Sequence, residues 1–133
     1  MTIGEGAHGR CMCGAVTYTV NAPLRDVWNC HCHRCRQFTG HHMAATRADA
    51  AAVAIVGDSL RWYSPDDTVA YGFCGTCGSS LFWRAADRPQ FLTICAGPLA
   101  QPTGLRTTTA WWVAEHGDYH APDTTLEQHA YDG

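Results

Sequence analysis

The 133 residues of this chain correspond in length to one domain. With 46% hydrophobic and 16% charged residues, the composition is typical of a globular protein and excludes a highly charged, disordered chain. The formal net charge of −3 and the scattered arginines argue against nucleic-acid binding, and the absence of lysine excludes Schiff-base catalysis.

The start of the chain, residues 1–8, has neither the basic region nor the apolar region of a secretion signal. No apolar run has the length that crosses a membrane. We therefore expect a cytoplasmic protein with no membrane partner and no nucleic-acid partner. In a reducing compartment, the eight cysteines of the chain are expected to bind metal rather than to form disulfides.

Short runs of apolar and β-branched residues, separated by Gly, Pro and Asp turns, predict a mainly β domain over residues 8–120. The ends of the chain, 1–7 and 121–133, have little apolar periodicity and are predicted to be loosely ordered. The predicted strands lie near residues 13–20, 26–32, 41–46, 53–56, 60–63, 68–73, 80–84, 91–96 and 110–115.

Two cysteine pairs predict a structural zinc site. Cys11 and Cys13 open a predicted strand, on which residues i and i+2 share one face. Cys74 and Cys77 have the spacing of a zinc knuckle, in which glycines such as Gly78 accept the positive φ of the turn. A redox dithiol would instead open a helix after a strand. Together the pairs predict a tetrahedral site of four cysteines on which folding depends.

A third group, formed by Cys30, Cys32 and Cys35, offers only three thiolates. Cys30 and Cys32 are predicted to share a strand face, with Cys35 returning after a tight turn. Three protein ligands and one open position are typical of a catalytic zinc ion. Because three thiolates make zinc a weak Lewis acid, we expect such an ion to hold a substrate thiolate rather than to generate hydroxide.

Other side chains compete for a role at this group. Cys95, in a predicted strand, is either a fourth ligand that closes the site or an ordinary buried thiol, which free cysteines in apolar strands more often are. The histidines near the group are candidates for ligands or proton carriers and are equally candidates for ordinary surface residues. These are His31, His33, His41 and His42, of which alternation directs His31 and His33 away from the sulfurs.

The cysteine motifs resemble those of the glutathione-dependent formaldehyde-activating enzymes, also called the centromere-protein-V-like domain. The resemblance extends from about residue 9 to residue 119 and is specific in order and spacing. One departure is that Tyr71 and Gly72 precede the knuckle, where the family often has an arginine. The resemblance rests on residues 9–16, 30–36, 39–40 and 73–82.

The resemblance implies a small zinc-stabilised β-tent made of short antiparallel strands, with two zinc ions per chain. It also implies the same division of the ligands, with one structural site of four cysteines and one catalytic site of three. The implied activity is that of S-(hydroxymethyl)glutathione synthase, a carbon–sulfur lyase for which glutathione is the co-substrate and formaldehyde the aldehyde. Two alternatives are the same chemistry on another thiol or carbonyl compound, and a non-catalytic zinc module for protein contact.

Arg34 and Arg36 flank Cys35, the last cysteine of the three-cysteine group. A guanidinium binds a carboxylate through two parallel hydrogen bonds, and glutathione carries two carboxylates. We therefore interpret these arginines as candidate glutathione contacts. The alternative is that both are solvated surface residues.

Overall fold

The computed structural model describes residues 6–132, and its regular structure is mainly β. The described residues also form one α-helix, α1 (His33–Thr39), and two short 3-10 helices, Ala50–Ala52 and Val113–Glu115. The strands in chain order are β1 (Ala7–Arg10), β2 (Thr17–Val20), β3 (Val27–Cys30), β4 (Met43–Asp49), β5 (Val53–Val56), β6 (Leu60–Tyr63), β7 (Val69–Cys74), β8 (Ser80–Ala85), β9 (Phe91–Cys95), β10 (Thr107–Trp111) and β11 (Glu127–Gln128).

The strands form two sheets. A three-stranded sheet has the order β1-β2-β5, and an eight-stranded sheet has the order β11-β10-β3-β4-β9-β8-β7-β6. Most neighbours are antiparallel, but β10 runs parallel to both β3 and β11. The predicted mainly β single-domain fold is confirmed, with these two parallel pairings as the exception to its antiparallel plan.

The main core includes side chains from both sheets. Tyr18 on β2 packs edge-to-face on Phe82 of β8, with ring centroids 5.1 Å apart. Such aromatic pairs add to the stabilisation that burial of the rings provides. Cys11 and Cys74, two members of the predicted four-cysteine site, belong to the same core.

The predicted strand over 13–20 starts later than expected, at Thr17. Cys11 and Cys13 lie in a turn, in which the Gly14 N–H donates to the Cys11 carbonyl at 3.1 Å. Gly14 has a φ of +79°, which favours glycine and is incompatible with an extended strand. The two cysteines are therefore brought together by a turn and not by a shared strand face.

Helix α1 replaces the tight turn predicted after Cys32. The Cys32 sulfur accepts a hydrogen bond from the Cys35 N–H, so that Cys32 acts as the N-cap of the helix. Gly40 ends the helix in the left-handed conformation, and its N–H donates to the Arg36 carbonyl. The predicted strand 26–32 accordingly ends at Cys30, and the predicted strand 110–115 is shifted to β10.

The C-terminal segment 121–132 contains one short strand, β11. Strand β11 pairs with β10, and the His129 ring stacks on Trp111 at a centroid distance of 3.9 Å. These contacts add an edge strand that apolar periodicity does not reveal, because both residues of β11 are exposed. Of the predicted N-terminal tail, residues 1–5 lie outside the described residues, and Ala7 already belongs to β1. Within 6–132, no helix has the length and apolar character needed to span a membrane.

Candidate metal centres and the adjoining cavity

Four sulfurs from distant parts of the chain meet at one end of the core. The ligand atoms of Cys11, Cys13, Cys74 and Cys77 all lie within 4.8 Å of one another. Their Sγ atoms are 3.7 Å apart for Cys11 and Cys13 and 3.8 Å apart for Cys13 and Cys74. Sulfurs bound tetrahedrally to zinc at about 2.3 Å are about 3.8 Å apart, so this set fits a structural zinc ion.

Each pair in this group is held by a turn that aims backbone N–H groups at sulfur. The Cys74 sulfur accepts from the N–H of Thr76 and of Cys77, both at 3.4 Å. Gly78 has a φ of +81°, and its N–H donates to the Cys74 carbonyl at 2.8 Å, as the knuckle prediction requires. Hydrogen bonds of this kind favour the thiolate, which is the form that binds metal.

Three further sulfurs meet where β3 passes into α1. The ligand atoms of Cys30, Cys32 and Cys35 lie within 4.8 Å of one another, and the Sγ atoms of Cys32 and Cys35 are 3.1 Å apart. Cys30 ends β3, Cys32 caps α1 and Cys35 is buried in the first turn of the helix. The predicted common strand face for Cys30 and Cys32 is thus wrong, because the chain turns into the helix between them.

Cys95 is outside both the four-sulfur and the three-sulfur group in the described part of the chain. It is buried on β9, in a cluster with Met43, Ala45 and Cys35 of the three-sulfur group. Burial raises the pKa of the Cys95 thiol to about 12. Its surroundings therefore match those of a buried core thiol.

The pKa values of Cys32 and Tyr71 are shifted at the three-sulfur group. Hydrogen bonding with Cys30 and Cys35 lowers the pKa of Cys32 to about 3, which favours its thiolate form. Burial, followed by the charges of Cys35 and Cys32, raises the pKa of Tyr71 above its ordinary value. The Tyr71 hydroxyl therefore stays protonated beside the sulfurs at neutral pH.

A cavity of about 390 Å³ lies near the three-sulfur group, although none of the three cysteines lines it. Phe38 links the two, because it packs against the cluster that contains Cys35 and also lines the cavity. Its ring contacts that of Tyr71 edge-to-face at 5.0 Å. The residues that line the cavity are Arg34, Gln37, Phe38, Tyr63, Pro65, Tyr71, Phe73, Gly78 and Ser80.

The two candidate arginines have different surroundings. Arg34 lines the cavity, and its Nη1 is 3.0 Å from Oδ2 of Asp66. Arg36 instead donates from Nε to the carbonyl of Glu115 at 3.0 Å. The Glu115 side chain in turn accepts the N–H of His33 at 2.9 Å. Arg34 thus lines the cavity, whereas Arg36 holds α1 to the second 3-10 helix.

The candidate histidines have different surroundings. His31, between two of the cysteines, is buried and lies near His42 and His120, whose ligand nitrogens fall within 4.8 Å of its own. Burial, and then the neighbouring imidazoles, lower the pKa of His31 to about 4. His33 is exposed at the start of α1. Sequence analysis missed His120, because no local motif connects it with residues so far away in the chain.

With this geometry in view, comparisons with known proteins identify the family. A family model described as glutathione-dependent formaldehyde-activating enzyme matches residues 6–115. The chain belongs to this family.

The fold also matches solved structures. A crystal structure of a Rhodobacter sphaeroides protein is 26% identical to this member of the family, with a TM-score of 0.58. The match covers 76% of this chain and 99% of the other. A comparison with curated proteins gave no match. The family relationship associates the chain with enzyme activity on formaldehyde and glutathione.

Proposed function

We propose that the protein is a zinc-dependent carbon–sulfur lyase that joins glutathione to formaldehyde, as S-(hydroxymethyl)glutathione synthase does. The observation that carries the proposal is the three-sulfur group without a fourth cysteine, placed beside a cavity. The proposal includes two zinc ions per chain, one in each cysteine group, and a cytoplasmic location.

In the proposed reaction, a carbon–sulfur bond forms between the thiol and the carbonyl carbon of formaldehyde. The thiol loses its proton, and the carbonyl oxygen gains one to become the hydroxyl of the product. A zinc ion held by three thiolates would keep an added thiol deprotonated while leaving its sulfur electron-rich. Cys30, Cys32 and Cys35 would hold this ion. Cys30 lies at the end of β3, and α1 fixes the position of Cys35.

The cavity supplies space for the rest of the thiol substrate. Its wall combines the rings of Phe38 and Tyr71 with the guanidinium of Arg34. The rings offer apolar contact to a bound molecule, and the guanidinium offers a charge-assisted contact to a carboxylate. The exposed Asp66 neutralises Arg34 in the free protein and would be exchanged for a substrate carboxylate.

Replacing Arg34 with alanine should raise the KM for glutathione about 10-fold, the effect of losing one charge-assisted contact. The zinc content and stability should change little, because the pair of Arg34 and Asp66 is exposed and such pairs contribute about 0–1 kcal/mol. Steady-state kinetics with elemental analysis make the measurement. Arg88→Ala, which removes an exposed arginine paired with Asp87, serves as the control. An equal KM in both variants would remove Arg34 from the site.

Cobalt substitution tests the proposed thiol binding directly. Glutathione added to the cobalt-substituted protein should change the thiolate-to-metal absorption, because a fourth sulfur joins the three cysteines. S-methylglutathione, which has no free thiol, should leave the spectrum unchanged, and so should glutathione added to Cys32→Ser. An unchanged spectrum with glutathione in the otherwise native protein would contradict the proposal. A change with another thiol only would assign the same chemistry to a different substrate.

A further inference from the structure

Three imidazoles converge outside the two cysteine groups. One ring nitrogen from each of His31, His42 and His120 lies within 4.8 Å of the other two. The ring centroid of His31 is 5.1 Å from that of His42 and 5.8 Å from that of His120. A fourth imidazole, His41, flanks the group, with centroid distances of 4.4 Å to both His42 and His120.

We propose that His31, His42 and His120 form a third metal site, which takes a divalent first-row transition ion such as Zn²⁺. Imidazole nitrogens bind such ions at about 2.0–2.1 Å, and the three ligand nitrogens already lie within 4.8 Å of one another. The group contains no carboxylate, which disfavours Ca²⁺ and Mg²⁺. Three ligands leave one position for water or for a fourth side chain.

A buried nitrogen distinguishes this group from a simple stack of rings. Nδ1 of His42 is buried and has no hydrogen-bond partner among residues 6–132. A buried polar atom without a partner costs free energy, and most such atoms in folded proteins are satisfied. Coordination of a metal ion would satisfy this imidazole in a place where no protein group does so.

Backbone hydrogen bonds hold the main chain at His31 and at His120. The His31 N–H donates to the Trp111 carbonyl at 2.9 Å, which fixes the residue between β3 and β10. His120 lies in a turn in which its N–H donates to the Gly117 carbonyl at 3.1 Å. His42 directly precedes β4. An ion at this place would therefore tie the loop after the second 3-10 helix to the large sheet.

A neutral imidazole has a free nitrogen lone pair for a metal ion. The proposal stands on the convergence of the three rings and on the unpartnered nitrogen, and it is independent of the proposed lyase activity.

Zinc uptake by untagged protein tests the site. After dialysis against buffered free Zn²⁺, elemental analysis should find three ions per chain in the native protein and two in His120→Gln. The affinity for the third ion should fall by at least about 100-fold, because changes to groups that only orient metal ligands already cost about 10–100-fold. His8→Gln, which removes an exposed histidine on β1 in the other sheet, should keep three ions.

Histidine ring NMR provides a second measurement that does not depend on activity. Adding the third equivalent of Zn²⁺ should shift the ring nitrogen signals of His31, His42 and His120 and leave those of His8 in place. His42→Gln repeats the test should His120→Gln fail to fold. Ring nitrogen signals of His31, His42 and His120 that stay in place while Zn²⁺ is added to the native protein would overturn the proposal. A third ion that persists in both His42→Gln and His120→Gln would also overturn it.

Discussion

Replacing Cys74 with alanine is expected to unfold the domain and to remove one zinc ion. The Cys74 sulfur is fully buried in the core and accepts two backbone N–H groups of the knuckle. Its group joins the turn at Cys11 and Cys13 to the end of β7, which are distant in sequence. Structural zinc has an apparent binding free energy of about 10–16 kcal/mol, which is comparable to the whole stability of a domain, about 5–15 kcal/mol.

Circular dichroism, NMR dispersion and elemental analysis make this measurement. Cys95→Ala is the matched control, because Cys95 is also a buried strand cysteine but lies outside the sulfur groups. Loss of its sulfur should cost about 1 kcal/mol of unfolding free energy and leave the metal content unchanged. A Cys74→Ala protein with a dispersed spectrum and a denaturation midpoint like that of Cys95→Ala would show that folding does not depend on this site.

Replacing Cys32 with alanine is expected to remove the catalysed reaction while the domain stays folded. Cys32 lies after the end of β3, where it caps α1, and not in the main core. Losing one of three sulfurs should lower the metal affinity of the open site by at least about 100-fold. The rate of adduct formation should then fall to that of the spontaneous reaction between glutathione and formaldehyde.

The N-cap role of Cys32 calls for a second variant. Alanine also removes the cap of α1, which should cost about 1 kcal/mol of unfolding free energy. Serine is a good N-cap but a poor ligand for zinc beside two thiolates, so Cys32→Ser should keep the stability and lose the activity. Rates measured beside thermal denaturation separate the two roles. Activity that survives in Cys32→Ser would show that the Cys32 sulfur is not needed for catalysis.

The grouping of the cysteines could be predicted from the sequence because cysteine spacing is a local property. The separations within Cys11–Cys13 and Cys74–Cys77 restrict each pair to one turn, and the structure brings the two turns together. The exact backbone could not be read from alternation alone. Gly14, with its positive φ, turns the first pair out of the predicted strand.

Helix α1 and the histidine group were harder to predict for physical reasons. The helix is short, and it depends on a sulfur as its N-cap and on Gly40 as its C-cap, neither of which gives apolar periodicity. His120 joins His31 and His42 only through tertiary packing, so no spacing rule connects them. The parallel strand β11 likewise depends on its contact with β10.

The central claim is that the open three-sulfur site accelerates the addition of glutathione to formaldehyde. Exchange NMR measures this addition at equilibrium, where the spontaneous reaction is an internal reference. Catalytic amounts of the zinc-loaded protein should increase the exchange rate in a saturable way, and Cys32→Ser should not. An exchange rate that is the same with and without the native protein would contradict the account and direct attention to other thiols.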